Sequence, residues 1–309
     1  MRVAICINTC QRPGGLKRLL DGLNQLTFHH CETPDIKVIV VDNDSSGHAC
    51  EFCAEICSEF KWILKCYVEP RRGIPFARNK AITCAIAENV DFVAFIDDDE
   101  VPEPNWLDEL LYVQSSYNAD VVWGRILPYF AHSIPDWLAK GQFFARPRYP
   151  TGYELKSAAN NNTLIRAEVF RKQDKLLDER LALSGGSDWH FFMRSQRAGH
   201  KIVWADNALV HEWIPQSRTN LKWLLQRSYR IGITESFCEI DLKPSIIIKT
   251  QCIYKGIRRV IKGILSIPLS FMVGKHQGVK TLLYIYHSLG MLAGVAGKQY
   301  EEYKEIHTL

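Results

Sequence analysis

Apolar residues in the first hundred positions come in short unbroken runs separated by polar, turn-forming segments. Residues 3–7, 37–41, 62–68 and 92–96 are dominated by Val, Ile, Phe and Leu. Runs of this length without polar alternation predict strands covered on both faces. Between them, residues 15–26, 50–60 and 77–89 carry apolar side chains at helical spacing. Strand and helix in alternation, with short links, predict a doubly wound α/β domain: a mostly parallel sheet flanked by helices. Ligands of such sheets bind beyond the carboxyl ends of the strands. That rule gathers three polar segments on one rim: Thr9 to Arg12, Asp42 to Ser46, and Asp97 to Glu100.

The last of these, in FIDDDEVPEP, sets three aspartates and a glutamate behind an apolar run. A solvated turn before Pro102 and Pro104 would tolerate them. A hard divalent cation would also compensate their repulsion, since Mg2+ and Mn2+ take one or two carboxylates together with phosphate oxygens and water. No G-x-G-x-x-G follows the first strand and no G-x-x-x-x-G-K-[ST] occurs, which disfavours a dinucleotide dehydrogenase and a P-loop NTPase while leaving a nucleotide free to bind through carboxylates and a divalent ion.

The second half opens with a strand-like VVWGRILP at 121–128. Asn160, Asn161 and Asn162 then offer amide donors and acceptors suited to a hydroxyl-rich ligand, or form a plain turn before a strand. Gly185 and Gly186 bring the backbone in tightly before Asp188, which opens a helix with Trp189, Phe192 and Met193 on its apolar side. Asp188 suits the positive end of that helix whatever else it does. His211 ends the apolar run 208–210.

In this order the motifs resemble family 2 glycosyltransferases of the GT-A fold over residues 1–215. Thr9-Cys-Gln-Arg12 is similar to the Thr-x-x-Arg segment after the opening strand, and Val41-Asp-Asn-Asp-Ser45 to the Val-Asp-Asn/Asp-x-Ser strand end. Gly73 to Asn79 is similar to Gly-x-x-x-Ala-Arg-Asn, Asp97-Asp98-Asp99 to the Asp-x-Asp metal motif, and Gly186-Ser187-Asp188-Trp189 to the segment bearing the catalytic base. His211 matches a later histidine. The resemblance implies an inverting glycosyltransferase with Asp188 as general base. Thr9, Arg12, Asp42, Arg78 and Asp97 would bind the donor nucleotide, and Asp98, Asp99 and His211 would hold Mn2+ or Mg2+. Asn160, Asn161, Asn162 and Trp189 are the candidates for the sugar and acceptor pocket. Two departures matter: Ser187 stands where the family often has Glu, and Gln226-Arg-Ser-Tyr-Arg230 does not reproduce the Gln-x-x-Arg-Trp of processive synthases. Transfer of a single sugar is expected, to a lipid-linked or polysaccharide hydroxyl. A sugar nucleotidyltransferase and a non-catalytic nucleotide-sugar-binding protein are the alternatives.

Charge changes the picture at the other end. The chain of 309 residues carries net +4, yet residues 242–300 hold nine Lys and Arg and no Asp or Glu, leaving −5 for the rest. Apolar runs at 263–274 and 282–296 interleave with these cations and fall short of the roughly 20 residues that span a bilayer. The pattern predicts interfacial helices on an anionic leaflet, at the cytoplasmic face of the cell membrane, with no nucleic acid partner. A helical pair packed on the catalytic domain, or a re-entrant hairpin over 264–296, would use the same residues differently. The expected division is therefore 1–215 as catalytic domain (1–100 nucleotide-binding, 101–215 acceptor-binding) and 216–309 as a basic, apolar helical region.

Composition is that of a folded protein, 47% hydrophobic and 23% charged. Residues 1–13 do not read as a signal peptide, so the ten cysteines are expected as reduced thiols. His48, Cys50, Cys53 and Cys57 lack the second ligand pair of a zinc site, and positions 50, 53 and 57 share a helical face suited to burial.

Overall fold

The computed structural model describes residues 1–173 and 175–301; residues 302–309 of the expected C-terminal region lie outside the described residues. In chain order the elements begin β1 (Arg2–Thr9), α1 (Pro13–Asn24), β2 (Asp35–Asp42), α2 (His48–Ile56), β3 (Ile63–Val68), α3 (Ile74–Ala87) and β4 (Phe92–Phe95). They continue β5 (Glu100–Pro102), α4 (Trp106–Tyr117), β6 (Val121–Tyr129), α5 (Asp136–Gly141), β7 (Thr163–Arg166), α6 (Ala167–Arg171), α7 (Ser187–Arg197) and β8 (Ile202–Trp213). Three long helices complete the chain: α8 (Leu221–Leu242), α9 (Ile246–Val273) and α10 (Lys275–Val295).

The eight strands form one sheet in the order β3-β2-β1-β4-β7-β6-β8-β5. The first four are parallel, as the unbroken apolar runs predict. β7 runs antiparallel to both β4 and β6, and β5 antiparallel to β8, so the sheet is mixed rather than mostly parallel. β7 and β5 are too short, at four and three residues, to announce themselves by periodicity. Side chains of β1 alternate between two layers. Val3, Ile5 and Ile7 pack with leucines of α1 and with Trp106 of α4, while Ala4 and Cys6 pack with Ala77 and Ala81 of α3 and Phe191 of α7.

The thiol expectation is corrected at one pair. Cys50 of α2 and Cys66 of β3 form a disulfide, their Cα atoms 5.1 Å apart, because α2 packs back along β3. Cys53 is buried as expected, whereas Cys57 is exposed.

Helices α8 to α10 make a compact unit in which α10 packs on both α8 and α9. Glycines allow the α8–α10 contact: a Cβ at Gly290 would collide with the carbonyl of Tyr229, and one at Gly232 with that of His287. The apolar run 282–296 is thus spent largely on packing. No helix among the described residues is long and apolar enough to cross a membrane.

Candidate active site

Beyond the carboxyl ends of β1 and β4 lies a cavity of about 520 Å³ with three walls. The first is the strand rim. Thr9 Oγ1 donates to Asp98 Oδ2 at 2.8 Å, and Arg12 Nη1 donates to Asp98 Oδ1 at 2.8 Å and to Asp99 Oδ2 at 3.3 Å. Arg78, at the start of α3, donates to Asp97 Oδ1 at 2.7 Å. Glu100 faces away from these cations; its carboxylate accepts from the Asp97 N–H at 3.0 Å and from Asn161 Nδ2 at 2.9 Å. The repulsion among four adjacent acids is therefore met first by arginines and amides of the chain itself. It is not fully relieved. Burial pushes the Asp98 carboxyl up to about 6 despite Arg12, and raises Asp97 and Glu100 as well.

The second wall is the start of α7. Gly186 caps this helix at φ +88°, where a side chain would be strained and its Cβ would run into Thr234 of α8. That close approach places Asp188 and Trp189 at the cavity edge. Asp188 Oδ1 accepts from the Trp189 N–H at 2.8 Å, a bond that holds the carboxylate near the helix's positive end and leaves Oδ2 for a ligand.

The third wall comes from beyond residue 215. Arg218 lies in a one-turn helix before α8, and Trp223, Arg227, Arg230 and Thr234 lie along α8 at spacings of four, three and four. These spacings put the four α8 residues on one helical face. Asn220 caps α8 by accepting from the Trp223 N–H at 2.9 Å. Arg218 donates to Asp99 at 3.5 Å, yet its Nε and the indole Nε1 of Trp223 are buried donors with no acceptor among the described residues. Such a wall favours a ligand rich in acceptor oxygens.

Of the residues the sequence singled out, the structure brings Thr9, Arg12, Arg78, Asp97, Asp98, Asp99, Asn161, Asp188 and Trp189 to the cavity. Four others do not line it. Asp42 is buried, and its oxygens accept from the Asp44 and Ala49 N–H groups, closing the turn into α2; its neighbour Asn43 faces the cavity instead. Asn160 is buried behind the wall. Asn162 is a core residue: its Oδ1 accepts from Trp106 Nε1 at 2.6 Å, and its Nδ2 donates to the carbonyls of Arg125 and Ala208. His211 turns away and meets Glu103 at 2.7 Å, so it is no ligand of a metal in this cavity. Glu212 takes the cavity side, 3.5 Å from Arg146. The cause is a register shift: Gly124 and Arg125 of β6 are consecutive, but their β8 partners are Ala205 and Leu209. Residues 206–208 are looped out, an odd number, which inverts the faces of the strand from Leu209 onward.

A different cluster, Asp178, His190 and Asp241, has donor atoms close enough together to ligate a metal. Arg180 already occupies it, with both its Nε and Nη2 on Asp178 and Nη2 also 2.8 Å from Asp241. Lys175 adds a cation at 3.0 Å, and together these hold the Asp178 carboxyl far below the usual range although its burial acts the other way. The cluster is an ion-pair hub joining α7 to α8, and a metal would have to displace its arginine. At the cavity, Asp97, Asp99 and Glu212 offer hard oxygen atoms that do not form a closed cage, which suits a cation completed by phosphate oxygens and water.

The family model described as glycosyl transferase family 2 matches residues 4–173. The chain belongs to this family. It is a glycosyltransferase. It is 31% identical over 236 residues to the succinoglycan biosynthesis protein ExoM of Rhizobium meliloti (strain 1021), covering 76% of this chain and 74% of that one. It is 24% identical over 266 residues to the glucosyl-dolichyl phosphate glucuronosyltransferase of Haloferax volcanii, 77% of each chain. In fold it is similar to the mannosyltransferase PcManGT from Pyrobaculum calidifontis in complex with GDP-Man and Mn2+, with a TM-score of 0.63, 13% identity, and coverage of 96% and 88%. It is also similar to S. aureus TarS 1-349 in complex with UDP-GlcNAc, with a TM-score of 0.56, 15% identity, and coverage of 97% and 93%. Both alignments run through nearly the whole of this chain, so the likeness in fold includes α8 as well as the sheet.

Proposed function

We propose that this transferase moves one sugar from a nucleoside-diphosphate donor to a hydroxyl of a lipid-linked or polysaccharide acceptor, with inversion at the anomeric carbon. The observation that carries this reading is that Asp188, the acidic strand rim and arginines of α8 all line one cavity. Thr9, Asn43 and Arg78 line the cavity and would contact the nucleotide. Arg218, Arg227 and Arg230, which also line the cavity, would donate to the diphosphate's oxygens, and Trp189 and Asn161 would border the sugar and acceptor. Asp97, Asp99 and Glu212 would hold Mn2+ or Mg2+, which when bound would compensate the charge that develops on the leaving diphosphate. The solved neighbours are complexes with UDP-GlcNAc or with GDP-Man and Mn2+, and the names of relatives point to glycan and lipid-phosphate acceptors.

In the reaction the acceptor hydroxyl gives its proton to Asp188 while its oxygen bonds to the anomeric carbon. The bond from that carbon to the diphosphate breaks on the opposite face, and its electron pair leaves with the nucleoside diphosphate. Arg218, Arg227 and Arg230 would hold the oxygens on which that charge collects. Purified protein should release nucleoside diphosphate from one member of a panel of nucleotide sugars, faster with a glycolipid acceptor and not at all in excess chelator. Release of pyrophosphate from a nucleoside triphosphate and a sugar phosphate would instead identify a nucleotidyltransferase and overturn the reading.

A further inference from the structure

Helix α9 packs through one side only. Cys252, Gly256 and Gly263 are buried, and Gly256 and Gly263 are close enough to α10 that a Cβ would press on Leu292 and Ile285. The opposite side is open and, from Tyr254 to Met272, largely apolar. Ile246, Tyr254, Ile257, Ile261, Leu265 and Met272 recur there at helical spacing, with Leu265 76% and Met272 83% exposed. Scattered exposed apolar residues need no explanation, but a stripe that runs about five turns from Tyr254 to Met272 does. Around the stripe the charges have one sign. Lys249, Arg258 and Lys262 are on α9 itself, and there is no acid anywhere between residues 242 and 300. Not every cation of the segment belongs to this face. Lys255 reaches inward to Glu235 at 3.3 Å, and Arg259 lies over Tyr284 of α10.

From this face we infer that α9 is a membrane-docking helix that lies in the headgroup region of an anionic leaflet. Apolar side chains at the centre with cations at the border match acyl chains and anionic headgroups in one arrangement. A partner protein of ordinary surface would have to supply both a long apolar groove and an excess of acid. The helix does not span the bilayer, since α9 is held along its length by α10. Docking would also bring the cavity to the leaflet. The α9–α10 turn at Gly274 meets α5, where Lys275 sits over Trp137, and Trp137 belongs to the same apolar cluster as Trp223 of the α8 wall.

The inference goes beyond the transfer reaction and is tested apart from it. The full chain is sedimented with vesicles of phosphatidylcholine alone, and with vesicles containing phosphatidylglycerol. It should pellet with the second and far less with the first, and high salt should release it only in part, because the apolar contribution is not screened. Arg258→Gln with Lys262→Gln should weaken partitioning roughly thirty-fold. Leu265→Ser with Met272→Ser should weaken it at least about tenfold. Circular dichroism and the melting temperature should stay unchanged, since none of the four side chains packs inside the protein. Equal binding to both vesicle types, or binding to neither, would overturn the inference. So would a dimer in light scattering that Leu265→Ser with Met272→Ser dissolves, which would show a second copy covering α9.

Discussion

The role of Asn162 separates a sugar-binding reading of the Asn160-Asn161-Asn162 run from a packing one, and Asn162→Ala puts a number on the difference. The side chain is fully buried and satisfies three partners: the indole N–H of Trp106 and the carbonyls of Arg125 and Ala208. Removal leaves a buried donor and two buried acceptors without partners, at about 1–3 kcal/mol each, so a total on the order of 3–9 kcal/mol is expected. The backbone adds to this. Asn162 has φ +53°, a left-handed conformation that asparagine tolerates and alanine resists by about 1 kcal/mol. Such a loss is a large share of the roughly 5–15 kcal/mol that holds a typical domain together. The melting temperature should fall by on the order of 10 °C, read by circular dichroism or calorimetry. Trp189→Ala is the control, because Trp189 is exposed at the cavity edge; it should change acceptor kinetics and leave the melting temperature nearly unaltered. An Asn162→Ala protein that melts like wild type but has a raised acceptor KM would refute the packing role.

Asp188→Asn should leave the donor KM unchanged and lower turnover by roughly 10²–10⁴-fold, measured as nucleoside diphosphate release; a smaller loss would place the base elsewhere. Cys66→Ser removes a cross-link over sixteen residues and should cost about 3 kcal/mol in a denaturant titration. Wild type treated with dithiothreitol should show the same loss, and an unchanged oxidised midpoint in the variant would mean the bond does not form. Glu235 of α8 is half-buried, which acts to raise its pKa, but His287 of α10 and Lys255 of α9 outweigh this and hold it at about 2. A carboxyl lowered on folding stabilises above its unfolded pKa and loses that contribution as pH falls through the folded one. Up to about 3 kcal/mol should therefore disappear between roughly pH 4.5 and 2. In Glu235→Gln the acid limb of the stability curve should be shallower, and an identical limb would assign it to other groups.

The strands β1 to β4, the helices between them and the acidic rim at Asp97 to Glu100 were legible in the sequence, because burial on two faces and helical spacing are local patterns. So was the start of α7, where two glycines and an aspartate announce a tight turn into a helix. Orientation was not legible where it depends on pairing with a distant strand. His211 and Glu212 are neighbours, and only the looped-out residues 206–208 decide which of them faces the cavity. Asn161 and Asn162 likewise part ways, one to the cavity and one to Trp106. Trp223, Arg227 and Arg230 could have been read as one face of a helix. That the face closes the cavity was decided by Gly186 meeting Thr234, a contact between segments 48 positions apart. The Cys50–Cys66 bond has the same origin, since spacing along a chain does not say which thiols a helix and a strand bring together. The nine cations between Leu242 and Tyr300 were plain from composition alone. Which of them face outward was settled by packing: α8 draws Lys255 inward and α10 draws Arg259, leaving Lys249, Arg258 and Lys262 exposed on α9, because a packed helix can bury only one side.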